Sequence, residues 1–481
     1  MTRFKTILTY ALFIGLLLAF SIVPLFRSPD VEHSADDVEY SVDFNERVGA
    51  IKPLNGGTLW AKLSRESQCD HQADAEACRF STIRLCDVPW NNEGLRLVDV
   101  NQIFANLNAD PNDPNNYFFA LTDNYIANIL KGGSVPIYRL GTSFEHTNTA
   151  YFAQKPQDFE RYAEICAGIV RHYNAGWANG FKWNILYWEI WNEPDRQESW
   201  GDDDWEQYCR FYVIVAKRLR SEFPDIKIGG PSLSYFQPEK VKLFAEVCKE
   251  KGAPIDFFTW HCYGVTPEHI INEPFIVRET LDEVGLSNTE LHLNEWHYLP
   301  GGWKVFFKAL KNPQKKYDLA NSPDGMNGVE AAAFIDYVLT RWQDGPLDMS
   351  NYYAFGLDLF GVIDYYDRIR PTYYALRFFG AQISEAPIRV ETKDPGGNVS
   401  LLGSVDDTGS RKRLLVSCYK QVFPKSITIK LKGVPSEGNI EVVQINYDAN
   451  CKSTKKRYSG GFLTLKPQKS SVFLIRFEPN S

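Results

Sequence analysis

Two glutamates stand where apolar, aromatic-rich runs give out. Glu193 closes Leu186-Tyr187-Trp188-Glu189-Ile190-Trp191-Asn192-Glu193, with Pro194-Asp195 following, and Glu295 follows Leu291-His292-Leu293-Asn294 and precedes Trp296-His297. In each, a strand-like run stops at a Glu and turn residues come soon after, so both carboxylates are expected at the C-terminal rim of a buried strand. A pair of carboxyl groups facing one cavity is the apparatus of glycosidic bond cleavage: one protonates the leaving oxygen, and the other attacks the anomeric carbon or activates water. A gap of about 5 to 5.5 Å implies retention of configuration, and one of roughly 6.5 to 9.5 Å implies inversion. The second Asn-Glu-Pro string, Asn272-Glu273-Pro274, lies in a polar stretch entering a helical pattern, so Glu273 is read as structural.

Something must hold the pair. Strand patterns recur at Arg47 to Ile51, Thr82 to Val88, Ser134 to Leu140, Ile185 to Trp191, Ile226 to Gly230, Phe257 to Tyr263, Glu290 to Glu295 and Tyr352 to Phe355. Helical patterns lie between them, as at Gln157 to Tyr173, Trp205 to Phe223 and Pro238 to Lys251. Eight strands alternating with helices imply a (β/α)8 barrel over 46–380, whose loops after the strands carry function. Glu193 then closes strand four and Glu295 strand seven, and their side chains can converge. From 381 to 481 short alternating runs separated by Gly, Pro, Asn and Asp imply a β-sandwich domain.

A formal net charge of −8, with no basic stripe, excludes a nucleic-acid partner. The chain opens Met1-Thr2-Arg3-Phe4-Lys5 and runs nearly uncharged from Ile7 to Phe26, so residues 1–26 are read as a cleaved export signal or a retained membrane anchor, and 27–45 as a solvated linker. The catalytic body is accordingly expected outside the cytoplasm. Nine Cys are spread along the chain: Cys69 and Cys78 could close the polar loop between them, whereas Cys86, Cys166, Cys209, Cys248 and Cys262 lie in apolar runs and are read as buried free thiols. Neither a CxxC spacing nor a His cluster indicates a metal site.

The strings Trp188-Glu189-Ile190-Trp191-Asn192-Glu193-Pro194-Asp195, Trp260-His261-Cys262-Tyr263 and Leu293-Asn294-Glu295-Trp296 together resemble glycoside hydrolase family 39, which includes β-xylosidases and α-L-iduronidases. The resemblance implies a retaining exo-glycosidase needing no cofactor, with Glu193 as acid/base and Glu295 as nucleophile. It assigns Asn192 to the sugar 2-hydroxyl, and His261 and Tyr263 to the sugar and nucleophile; Trp296, next to Glu295, is either a platform below the sugar or a packing residue. Two stretches depart from the β-xylosidase pattern. Arg84-Leu85-Cys86-Asp87 stands where a His is usual, which puts Cys86 or Asp87 beside the sugar, and after strand eight Tyr353 and Asp358 remain to hold it. A uronate substrate would need a cation, for which Arg139 or Lys304 could serve. A carbohydrate-binding protein on the same scaffold would have no use for both glutamates.

Overall fold

A computed structural model describes residues 40–61, 71–88, 96–144, 155–356, 359–421 and 426–477. The export segment, most of the linker, Cys69 and Asp358 lie outside these residues. Glu39–Ser481 forms one compact unit.

β1 (Tyr40–Ala50) is followed by eight parallel strands that close into a barrel: β2 (Gly56–Thr58), β3 (Thr82–Leu85), β4 (Val135–Leu140), β5 (Tyr187–Ile190), β6 (Lys227–Leu233), β7 (Phe257–Gly264), β8 (Glu290–Tyr298) and β9 (Met349–Tyr352). Helices such as Phe159–Asn174, Trp205–Glu222 and Pro238–Lys251 surround them, each burying one apolar face. Eight more strands follow: β10 (Ile388–Lys393), β11 (Val399–Val405), β12 (Lys412–Cys418), β13 (Ile427–Lys432), β14 (Gly438–Asn446), β15 (Ala449–Tyr458), β16 (Phe462–Leu465) and β17 (Ser471–Phe477). They form a nine-stranded sheet in the order β15-β14-β17-β12-β11-β10-β1-β13-β16.

The ninth strand corrects the sequence reading. Arg47 to Ile51 is not the first barrel strand, and residues 40–45 are not linker. β1 lies inside the second sheet, antiparallel to β10 and parallel to β13, with Val42 opposite Thr392 and Leu431. The barrel's true first strand is Gly-Gly-Thr at 56–58, paired with β3 and β9. Because one strand replaces another, Glu193 still follows barrel strand four and Glu295 still lies on strand seven.

The sheet curls on itself, bringing Phe44 of β1 within 5.0 Å (ring centroids) of Phe477 of β17 around a core that includes Val42, Leu414, Ile429 and Ile475. Its other face, through Leu402, Leu415, Val443 and Leu474, joins the main barrel core. Ser417 Oγ donates to the Ala333 carbonyl at 2.6 Å, and Arg341 pairs with Asp394 at 2.7 Å, so polar contacts cross the same junction. Barrel and sheet are packed as one body.

Cys86, Cys166, Cys209, Cys248 and Cys262 are free and buried, as their apolar surroundings imply. Glu273 sits inside the helix Pro267–Glu283 and accepts from Trp260 Nε1 at 2.8 Å, a structural role. Among the described residues no helix is long and apolar enough to cross a membrane.

Candidate active site

The upper interior of the barrel is polar. At its centre Arg84 rises from β3, fully buried, in a strand whose other residues are Thr82, Ile83 and Leu85. A buried guanidinium needs acceptors for its fork of donors, and Arg84 finds four: Nε donates to Glu189 (2.7 Å), Nη1 to Glu295 Oε1 (2.7 Å), and Nη2 to Asn192 Oδ1 (2.7 Å) and Ser232 Oγ (2.8 Å). It thus ties β3 to β5, β6 and β8.

Glu295 reaches this cluster because β8 carries a bulge. Leu293 pairs with Trp260 of β7, but the next pair is Glu295 with His261, so Asn294 is an extra residue. A bulge re-aims side chains, and here two consecutive residues face inward: Asn294 Nδ2 donates to Glu189 Oε1 (2.5 Å) and Ser232 Oγ (2.9 Å), while Glu295 meets Arg84 and, through Oε2, the Tyr263 hydroxyl (2.7 Å). β6 has a matching irregularity between Pro231 and Leu233, which turns Ser232 inward.

Four rim residues hold left-handed backbone conformations: Asp87 (φ 53°), Trp191 (φ 74°), Glu193 (φ 47°) and Ser232 (φ 59°). Such conformations cost about 1–3 kcal/mol each for residues other than glycine and persist where the surroundings enforce them. For Glu193 the enforcement is visible: its N–H donates to the Ser232 carbonyl (2.8 Å), and Trp191 beside it is clamped by Trp200 (ring centroids 5.1 Å) and by its indole N–H to Ser199 Oγ (3.1 Å).

Hydrogen-bond arithmetic fixes the tautomer of His261. Ser232 Oγ already accepts from Arg84 and Asn294, so it has no lone pair left for a donor at His261 Nε2, 2.9 Å away, and its own proton has that nitrogen as its nearer acceptor, Asn192 Oδ1 lying at 3.2 Å. His261 therefore carries its proton on Nδ1, which donates to Glu193 Oε1 at 2.9 Å and lies 3.4 Å from Glu295 Oε2. Burial holds the imidazole pKa below its usual value, keeping the ring neutral. One oxygen from each glutamate and one His261 ring nitrogen lie within 4.8 Å of one another. Since the nitrogen between them is a donor, this trio is organised for sharing protons, not for ligating a metal.

The two carboxyl groups differ in support. Glu295 accepts from Arg84 and Tyr263, whereas Glu193 has the His261 N–H and a longer approach from Arg196 (3.6 Å). Burial, together with the charge of Asp195, pushes the Glu193 carboxyl up to about 8. Burial also raises Glu295, but the neighbouring His261 N–H and the Arg84 cation pull against it. When two such groups share a site, one proton is held between them, and it resides on Glu193. With Oε1 accepting from His261, the proton belongs on Oε2.

Asn192, His261, Tyr263, Asp87 and Tyr353 all gather here. Asn192 Oδ1 is occupied by Arg84, which turns its amide N–H group away from that contact. Tyr353 donates to Asp87 Oδ2 at 3.2 Å, and single atoms of Cys86, Asp87 and Glu295 fall within 4.8 Å of one another. Tyr263, Tyr353, Phe360 and Trp303 form an aromatic wall, with Tyr263 at 5.0 Å from Trp303 and 5.9 Å from Phe360.

Trp296 does not join them. It points out of the barrel, buried, at 5.0 Å from Trp342 and 5.1 Å from Tyr352, because strand alternation sends the residue after Glu295 to the opposite face. Arg139 is fully buried and held by Asp99 (2.6 Å) and Ser143 (2.8 Å), and Lys304 is exposed on a helix, so neither stands free beside the carboxyl pair. That Arg84, Glu189 and Ser232 bind one another at the centre of the site was not expected from the sequence. The available signal was an arginine in a short apolar strand, which cannot be buried without carboxylates.

The model of glycosyl hydrolases family 39 matches residues 61–288, which contain barrel strands two to six, β3 to β7, and end just before β8. Over that stretch, just under half of its length, the chain is similar to glycosyl hydrolases family 39. A similar protein, the beta-xylosidase of Geobacillus stearothermophilus, is 23% identical over 257 residues, 47% of this chain and 47% of that protein. The chain thus aligns with about half the length of that curated relative. Among solved structures, a glucosidase from Croceicoccus marinus superposes with a TM-score of 0.74 at 18% identity, covering 92% of this chain and 99% of that one. A monomeric beta-xylosidase from Caulobacter crescentus gives 0.69 at 16% identity, with 92% and 99% covered. These structures share the fold of this chain.

Proposed function

We propose that the protein is a retaining exo-glycosidase in which Glu193 is the acid/base and Glu295 the nucleophile. The observation that carries this reading is the carboxyl pair on either side of the His261 N–H, one group held by Arg84 and Tyr263 and the other pushed up to about 8. The approach of one oxygen from each group to within 4.8 Å supports the closer spacing of double displacement.

In the first step Glu295 attacks the anomeric carbon, the bond to the leaving oxygen breaks, and the proton on Glu193 passes to that oxygen. Glu295 is then an ester without charge. Loss of that charge lowers the Glu193 pKa, so Glu193 now takes a proton from water, whose oxygen attacks the anomeric carbon and expels Glu295. Asn192, its oxygen fixed by Arg84, presents its amide to the sugar 2-hydroxyl, and Asp87 with Tyr353 binds hydroxyls farther round the ring. Arg139 is engaged and Lys304 faces solvent, so neither offers the cation a uronate would need. With β-xylosidases among the relatives, an aryl β-xyloside is the first substrate to try.

Proton NMR of the first-formed product from a panel of aryl β-xylosides, β-glucosides, β-galactosides and α-L-arabinosides tests the reading. The expected product keeps the substrate's anomeric configuration. An inverted product removes Glu295 from its role, and inertness toward every glycoside refutes the activity. Export to the outside of the cytoplasm is part of the same proposal, and fractionation of the native host checks it.

A further inference from the structure

β8 leads, on the catalytic side of the barrel, into the helix Gly302–Leu310, which buries Phe306 and Ala309 and packs Phe306 on Phe360 at 5.3 Å. Its outward surface is unusual. Trp303, Phe307 and Leu310 are 42%, 55% and 40% exposed, and their spacing of four and three residues aligns them in one stripe. Lys304, Lys308 and Lys311 have the same spacing and form a parallel row beside it. The next helix, Pro313–Asn321, adds Lys315, Lys316 and half-exposed Tyr317. Residues 302–317 contain five lysines and no Asp or Glu, in a chain of net charge −8. None of the five lysines makes an ion pair among the described residues. Single exposed apolar side chains are ordinary on a soluble surface, but a contiguous apolar row lined by unpaired cations is not.

We infer that this helix docks on an anionic lipid bilayer, lying in the headgroup plane with Trp303, Phe307 and Leu310 in the acyl boundary and the lysine row on lipid phosphates. Charge complementarity and side-chain type choose this occupant. A polysaccharide would stack on Trp303 and Phe307 but gain nothing from Leu310 or from Val305, which is 45% exposed. A second copy meeting helix to helix would set lysine row against lysine row. An anionic bilayer satisfies both rows, and the apolar run Ile7 to Phe26, where retained, would keep the chain beside one. Docking would also bring the site mouth to the membrane, since Trp303 lies 5.0 Å from Tyr263, whose hydroxyl holds Glu295. Resting on the glycosidase reading, this extends the substrate class to glycosides of lipids.

The test is backbone hydrogen exchange of the full chain, read by mass spectrometry, with vesicles of phosphatidylcholine alone, vesicles of phosphatidylcholine and phosphatidylglycerol at about 7:3, and lipid-free buffer. Where retained, the run Ile7 to Phe26 would act alike on either vesicle, so the comparison isolates the helix. Exchange across 303–311 is expected to slow roughly tenfold or more on the anionic vesicles only, as a few lysine–lipid contacts suffice to give. Lys308→Glu/Lys311→Glu and Phe307→Ser/Leu310→Ser should each abolish that slowing while leaving turnover of a soluble aryl glycoside unchanged. Equal exchange in all three conditions overturns the proposal. Protection produced without lipid, by a soluble uronic-acid polysaccharide or by raising protein concentration, also overturns it and assigns the surface to that occupant. Because the soluble-substrate assay is read separately, failure of docking and failure of the glycosidase reading are distinguishable.

Discussion

Replacing Glu193 by Gln should make the protein more stable, by an amount that grows with pH. In the unfolded chain this carboxyl ionises near 4.5, whereas in the fold burial and Asp195 hold its proton up to about 8. Between those values the unfolded state binds fewer protons than the fold, so native stability falls as pH rises through the window, by 1.36 kcal/mol per pH unit for one group. Below 4.5 both states are protonated and Glu193 contributes nothing. At pH 7 the penalty is about 3 kcal/mol, and from pH 8 upward it levels off at about 5 kcal/mol. Gln carries no such penalty and can still accept the His261 N–H through its amide oxygen. A folded unit of this size has an unfolding entropy of about 0.9 kcal/mol/K, so the Glu193→Gln variant should melt roughly 3 °C above the native protein at pH 7 and show no gain at pH 4.5. Calorimetric scans of both proteins across pH 4.5 to 8.5 provide the measurement. A gain that is absent at pH 7, or that does not rise with pH, would refute the claim that the fold keeps Glu193 protonated.

The two glutamates should separate kinetically. Glu295→Ala is expected to lose several orders of magnitude on every substrate, while Glu193→Ala loses roughly 10²- to 10⁴-fold on poor leaving groups yet shows a burst with an activated aryl glycoside, and added azide restores its turnover. If azide rescues neither, Glu189 and Asp195 become the next candidates for the acid. Arg84→Met strips a buried cation from Glu189 and Glu295 together, so urea unfolding should report a loss of about 3–5 kcal/mol, and an unchanged midpoint would contradict the hub described above. Tyr263→Phe removes the hydroxyl from Glu295 and should lower kcat by about 10- to 100-fold, the worth of a hydrogen bond to a charged group. Trp296→Phe should leave kcat/KM within about twofold, because that ring packs on Trp342 and Tyr352, outside the barrel lumen.

The barrel and the glutamate pair were legible because long apolar runs ending at turn residues are strong local signals, and Glu193 and Glu295 each sit beside one. What escaped depended on partners far away in sequence. Gly56–Thr58 has no apolar pattern to announce a strand, and only its neighbours β3 and β9 make it one. Arg47 to Ile51 does read as a strand, yet nothing local says that its partners are residues 388–393. Arg84 was visible as a departure from a family pattern, but its meaning lay in four acceptors on three other strands. The platform reading of Trp296 treated proximity to Glu295 as orientation, although alternation along β8 already put the two on opposite faces. The bulge at Asn294 has no signature in composition at all.

Because β1 is threaded between β10 and β13, the chain's first described strand and its last hundred residues complete one another across the whole barrel. A ribosome releases β1 long before any of its hydrogen-bonding neighbours exists, so during synthesis this segment must wait, unpaired, for the far end of the gene to be read. The C-terminal sheet is for the same reason not a detachable module. Cutting the chain near residue 381 would leave β1 as a free strand carrying Tyr40, Val42 and Phe44 bare, inviting aggregation, and a transplanted C-terminal sheet would lack a central strand. Engineers who want either half alone will have to rebuild the seam: delete β1 with the sheet, or reattach it by circular permutation.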